Sequence, residues 1–241
     1  MLNKQENQYY VESPGKDRGF FLEAWMSDTD ALIDDLVRRL PMIRALQDGI
    51  WKGEPQPRDT RLPVDELVTL VKQTRDIEID IRLVPFTARH LVSLVERQTE
   101  QQFLVAVRED APLVERRYGV VKELCHIIGD EPADYQPHGE RTLDGIMRVE
   151  SAHLYDKTLD LGGDRPAVQS EKRAERMADE LIYDRRLRLE DMRRSRSQET
   201  TIAAMASAYG VPQLVMTRVF RPLAQGLTHD LWRKAGYEEP L

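Results

Sequence analysis

The stretch from Gly119 to Gly129, GVVKELCHIIG, sets Lys122, Glu123 and His126 among Val120, Val121, Leu124, Cys125, Ile127 and Ile128. At the helical period these apolar residues cover most of the circumference, so a helix of this kind belongs at the centre of a fold. Its ionisable residues must then be inside as well. Burying them is costly unless they pair with one another or with a metal. The rest of the chain has to be arranged around a charged core helix.

On such a helix Lys122 and His126 lie one turn apart and face the same way. Glu123 is rotated from Lys122 by about 100°. The pattern K-E-x-x-H is H-E-x-x-H with its first histidine replaced. In the complete pattern two histidines hold zinc and the glutamate is a general base. On its own the triplet is weak evidence and fits a solvated polar face better, and the apolar neighbours are what make it a candidate site. Cys125 directly precedes His126, but adjacent helical residues do not face each other, so it reads as a small buried residue rather than a nucleophile.

The 241 residues allow one large domain or two small ones, and 41% hydrophobic with 32% charged residues is a globular composition. A net charge of −7 argues against general attraction to nucleic acid. The local exception is DRRLRLEDMRRSRS, residues 184 to 197, which reads as a solvated helix end and loop, with phosphate contact as the lesser alternative. No apolar run approaches the ~20 residues of a membrane helix. The first residues lack the order of a signal peptide, and a single cysteine permits no internal disulfide. The expectation is a cytoplasmic protein without membrane contact.

Leu32, Ile33, Leu36, Val37 and Leu40 predict a helix capped by Asp28 or Thr29 and kinked or ended by Pro41. GEPQPRDTRLP reads as the loop that closes an N-terminal helical extension, residues 1 to 60. Pro63 could open a helix with Val64, Leu67, Val68 and Val71 on its apolar face. Ile77, Ile79, Ile81 and Leu83 alternate with charges, as in a strand with one buried and one wet face. A short strand is expected near Leu91 to Val95, and a more deeply buried one over Phe103 to Val107. Residues 130 to 170 form a long connection with a candidate helix over LDGIMRVESAHLYD. Beyond it, SEKRAERMADELIYD is a helix capped by Ser170, and TIAAMASAYGVPQLVMTRVF is two short helices around Gly210.

The order of RRYGVVKELCHII, then EKRAERMADELIYD, then TIAAMASAYGVPQLVMTRVF resembles the ImmA/IrrE family of metallopeptidases over roughly residues 60 to 222. That family carries an R-F-x-x-A-H-E-x-x-H helix followed by E-x-x-A-N-x-F-A-x-x-L-L-M-P. The resemblance implies an α+β, zincin-like fold: mainly helical, with a small sheet packed on a central site helix. It implies a domain over 61 to 222 that includes a helix-turn-helix-like segment at 201 to 220, with 223 to 241 as a C-terminal tail. Position by position, Arg117 and Tyr118 match the residues ahead of the site. Glu123 matches the general base, His126 the second zinc ligand and Glu171 the third, with Glu175 and Glu150 as alternatives. Met177 and Ala178 match the Phe-Ala pair, and Leu181 and Ile182 the paired leucines. Lys122 departs from the pattern at the first ligand, and Asp184 at the closing proline.

An ammonium repels a metal cation, and only a deprotonated lysine could ligate one, far below its usual pKa of ~10.4. Lys122 is therefore expected to replace the metal, pairing with Glu123 and Glu171. His138 and His153 are the alternative ligands, and zinc is expected only if the site is functional. The family's active members cut helix-turn-helix repressors. The reading that follows is a degenerate, metallopeptidase-like regulator that binds a protein partner, such as such a repressor, without cleaving it. One alternative is an active zinc endopeptidase. The other is a DNA-binding regulator using Gln213, Thr217 and Arg218, although their helix carries Leu214, Val215, Met216, Val219 and Phe220 and suits packing better than base reading.

Overall fold

The computed structural model describes residues 18–86, 91–130 and 165–237. The fold is mixed α+β, mostly helical, with one three-stranded sheet. Chain order runs α1 (Arg18–Trp51), α2 (Val64–Arg75), β1 (Glu78–Val84), β2 (Ser93–Arg97), β3 (Gln102–Arg108) and α3 (Leu113–Gly129). It continues with α4 (Arg165–Ile182), α5 (Arg185–Arg196), α6 (Ile202–Tyr209), α7 (Gln213–Val219) and α8 (Pro222–Lys234). Among the described residues no helix is long and apolar enough to cross a membrane.

β3 is the central strand, which explains its continuous apolar run: Phe103, Val105, Ala106 and Val107 are all buried. β1 pairs with it in parallel, Ile81 opposite Val105, and β2 pairs antiparallel, Ser93 opposite Val107. Strict alternation on β1 does not translate into a buried face. Ile79 is buried, but Ile81 and Leu83 on the same side are 38% and 55% exposed. Among the described residues β1 is an edge strand, and the helical layer covers only its first residues.

α3 lies between this sheet and α4, and every residue from Gly119 to Gly129 is buried. On its far side α4 presents Ala174, Met177, Ala178 and Leu181. α2 is closed by Asp76 in the left-handed region (φ 52°) and carries Asp65 and Glu66 in its first turn, with Lys72 and Arg75 in its last, in accord with the helix dipole. Pro63 is the residue before this helix rather than inside it.

Two expectations change at the N-terminal side. α1 is already helical at Asp28 and Thr29, so neither residue caps it, and Pro41 does not end it, since the helix runs through to Trp51. Leu36, Leu40, Ile43, Leu46 and Ile50 bury one face of α1, and that packing outweighs the hydrogen bond a proline removes. These residues share a single core with α3, α4 and Leu231 and Trp232 of α8. The helix from the first sixty residues and the one from the last twenty thus both contribute to the packing around α3. The long connection, residues 131 to 164, lies outside the described residues, and with it His138, Glu150, His153 and the helix expected there.

Candidate functional site

The site is built where α3, α4 and β2 converge. Lys122 Nζ lies 3.0 Å from Glu171 Oε2 and 3.3 Å from Glu123 Oε1. All three side chains are buried. Glu123 Oε1 also accepts a hydrogen bond from the Ser93 hydroxyl at 2.7 Å. That contact depends on Gly119: a Cβ there would lie 2.7 Å from Ser93 Oγ, so only glycine lets β2 close on the helix.

His126 stands beside the pair, its Nε2 3.2 Å from Glu171 Oε1, an approach off the hydrogen-bonding line. On the other side of the ring Nδ1 donates to Asp130 Oδ2 at 2.8 Å and lies 3.1 Å from Ser170 Oγ. Ser170 donates to the same Asp130 oxygen at 2.7 Å. It is not the cap of α4, which begins at Arg165; its role is to bind the end of α3. Arg173 then donates to Asp130 Oδ1 at 2.6 Å and to Asp35 Oδ2 at 2.9 Å. Asp35 is paired with Arg39, whose Nε donates to the Gly129 carbonyl at 2.8 Å.

The result is a chain of alternating charge from α3 through α4 to α1: Glu123, Lys122, Glu171, His126, Asp130, Arg173, Asp35, Arg39. Burial opposes the charged form of each buried member, and its neighbours of opposite sign restore it. For Glu171 burial is outweighed by Lys122 and His126, which hold its carboxyl well below the ordinary range. For His126 burial is outweighed by Glu171 and Asp130, and the pKa is raised to about 10. The imidazole is thus a cation at neutral pH.

This donor set does not fit a catalytic zinc. The position that the resemblance gives to a first ligand carries an ammonium held by two carboxylates. At His126, which it gives to a second ligand, Glu171 and Asp130 favour the protonated ring, whereas a metal needs a lone pair. Glu123 is ion-paired with Lys122 and accepts from the Ser93 hydroxyl, so it is engaged rather than poised over a water molecule. Among the described residues no three His, Cys, Asp or Glu side chains form a ligand group. Cys125 is fully buried and burial pushes its thiol well up, which leaves it inert.

Other residues singled out in the sequence have structural partners. Arg117 donates to the Leu62 carbonyl at 2.6 Å, and the Tyr118 hydroxyl lies 3.2 Å from Asp179 Oδ1. Glu175, one helical turn after Glu171 on α4, pairs with Arg218 at 3.1 Å. Arg218 also binds Asp179 and the Tyr118 hydroxyl, both at 2.6 Å, so it anchors α7 to α3 and α4. The Thr217 hydroxyl donates to the backbone carbonyl of Gln213 at 2.8 Å within α7. Of the three residues considered for base reading, Arg218 is the one committed to the interior of the fold. The arginine cluster is solvated only in part: Arg185 and Arg188 are buried, Arg188 against Glu180, whereas Arg186, Arg193 and Arg196 are exposed.

Ser93, Asp130, Ser170, Arg173 and Asp35 were not singled out as members of the site. Asp130 carries a local signal, since it lies one helical turn after His126. Ser93 and Asp35 reach the site only through tertiary contact, and nothing in their local sequence marks them. Compared with protein-family models, curated proteins and solved structures, the chain matches none.

Proposed function

We propose that this chain is a degenerate relative of the ImmA/IrrE metallopeptidases: a cytoplasmic, zincin-like regulator that binds a protein partner, a helix-turn-helix repressor in the first instance, without cutting it. One observation carries the reading. The Lys122 ammonium lies within 3.3 Å of both Glu123 and Glu171, the carboxylates that the resemblance assigns to general base and metal ligand. A fixed internal cation neutralises those acids and keeps the core closed, and it polarises no scissile carbonyl. What such a chain retains is a shaped surface around an intact frame.

The test is to immobilise the full-length protein and present the helix-turn-helix repressors encoded in the same genome. At least one is expected to bind and be recovered intact, equally well in chelator and with Glu123→Gln. Failure of every repressor to bind removes the partner class. Repressor fragments that disappear with chelator or with Glu123→Gln would show a working peptidase instead. Binding to DNA that falls steeply with salt and with Arg193→Ala and Arg194→Ala would replace the reading with a DNA regulator.

A further inference from the structure

β1 ends the sheet, and among the described residues no strand covers its outer edge. Which groups it offers there follows from two bonds on its inner side. Glu78 N–H donates to the Gln101 carbonyl at 2.8 Å, and the Val84 carbonyl accepts from Glu109 N–H at 3.1 Å. Backbone groups alternate sides along a strand, so Glu78, Asp80, Arg82 and Val84 face β3. Ile79, Ile81 and Leu83 therefore aim their N–H and C=O groups outward. The side chains of these same three residues share one face, and Ile81 and Leu83 are 38% and 55% exposed.

We infer that this edge pairs with the β1 of a second copy, antiparallel about Ile81. In that register the strand is its own complement. Ile81 meets Ile81, and Ile79 meets Leu83. Both kinds of pair join residues with outward backbone groups, so each can exchange two hydrogen bonds. Asp80 falls opposite Arg82 of the second copy, and Arg82 opposite its Asp80. These are non-hydrogen-bonded positions, where opposed side chains come closest. Within one chain Arg82 already holds Asp80, at 2.6 Å, on an exposed surface, so the charges are in place to be shared between copies.

The charges also select the register. A slip of two residues sets Asp80 against Asp80 or Arg82 against Arg82, and like charges directly opposite are destabilising. A two-fold closed pairing leaves neither copy's β1 edge open, joins the two sheets into six strands, and covers apolar surface that α2 and α3 leave bare. Nothing in the inference depends on the chemistry around Lys122.

Sedimentation equilibrium of the full-length protein at tens-of-micromolar concentration tests the pairing. A dimer is expected in the wild type. Asp80→Arg and Arg82→Asp should each weaken it about tenfold or more by setting like charges opposite. The double exchange, Asp80→Arg with Arg82→Asp, restores opposite signs and should restore the dimer. That recovery separates lost pairing from lost folding, since a merely misfolded single variant would not be rescued by a second substitution. A wild-type monomer at these concentrations overturns the inference. So does a dimer indifferent to either single change, or one lost in both singles and not recovered in the double.

Discussion

Lys122 and Glu171 are 49 residues apart in sequence and 3.0 Å apart in space, buried, and joined as an ammonium and a carboxylate. The bond pins α4 to α3 at the centre of the molecule. Its worth to stability need not be large against an apolar pair, but losing half of it is another matter. Lys122→Met leaves Glu123 without its ammonium and Glu171 with His126 as its one remaining cation in the chain of charges. Urea unfolding is expected to show a loss of about 3–5 kcal/mol. Adding Glu171→Met should recover part of that loss. If Lys122→Met alone were neutral, the two carboxylates would have no need of the ammonium.

His126 ties the same pair to the end of α3. Its folded pKa, about 10, lies above the ordinary value of 6.5. The stability it contributes is therefore fully present below about pH 6.5 and is lost as pH rises through 10. NMR titration of the imidazole should show it still protonated at pH 8. In Asp130→Asn the midpoint should fall, because the Nδ1 proton loses its anionic acceptor at 2.8 Å. A midpoint near 6.5 in the wild type would mean that Glu171 and Asp130 do not hold the charge.

Gly119 is the point of closest approach between β2 and α3. A methyl group there would meet Ser93 Oγ at 2.7 Å and Ser93 Cβ at 3.0 Å. Gly119→Ala should destabilise by about 1–3 kcal/mol through overpacking, despite the better helix propensity of alanine. In a Ser93→Ala background the additional cost of Gly119→Ala should be smaller, since the nearest atom is gone. Equal costs in both backgrounds would place the strain elsewhere.

Arg218 distinguishes a reading helix from an anchoring one. It binds Asp179, which is 1% exposed, and the Tyr118 hydroxyl. Arg218→Ala strands a buried carboxylate and should lower stability by about 3 kcal/mol. An exposed DNA contact would instead tolerate alanine within about 0.5 kcal/mol.

Much of this architecture was legible in the sequence because it was written in local periodicity. The apolar circumference around Lys122, Glu123 and His126 placed α3 at the centre. The runs at Phe103–Val107 and Ala174–Ile182 gave a core strand and a core helix, and Gly210, at φ 63°, marked the turn between α6 and α7. What periodicity could not show was which face a neighbour would cover. Ile81 and Leu83 carry the same alternation as Ile79, yet the helical layer stops short of them. Arg188 looks like a solvated residue in a charged run and is 2% exposed, because Glu180 waits for it on α4. Ser170 has the chemistry of a cap, and the helix simply begins a turn earlier. The pairing of Lys122 with Glu171 was expected from the resemblance, whereas the continuation beyond Asp130 to Arg173 and Asp35 joins residues far apart in sequence and left no local trace.

The claim that Lys122 stands in place of a metal is tested most directly by the metal content of the purified, untagged protein, measured by plasma mass spectrometry beside Lys122→His. The expected result is a wild-type chain with essentially no zinc and a variant that takes it up, because the substitution removes the ammonium and restores an imidazole one turn before His126. A wild-type chain that carries about one zinc per molecule would contradict the account, since no arrangement with Lys122 bound between Glu123 and Glu171 leaves that position to a cation.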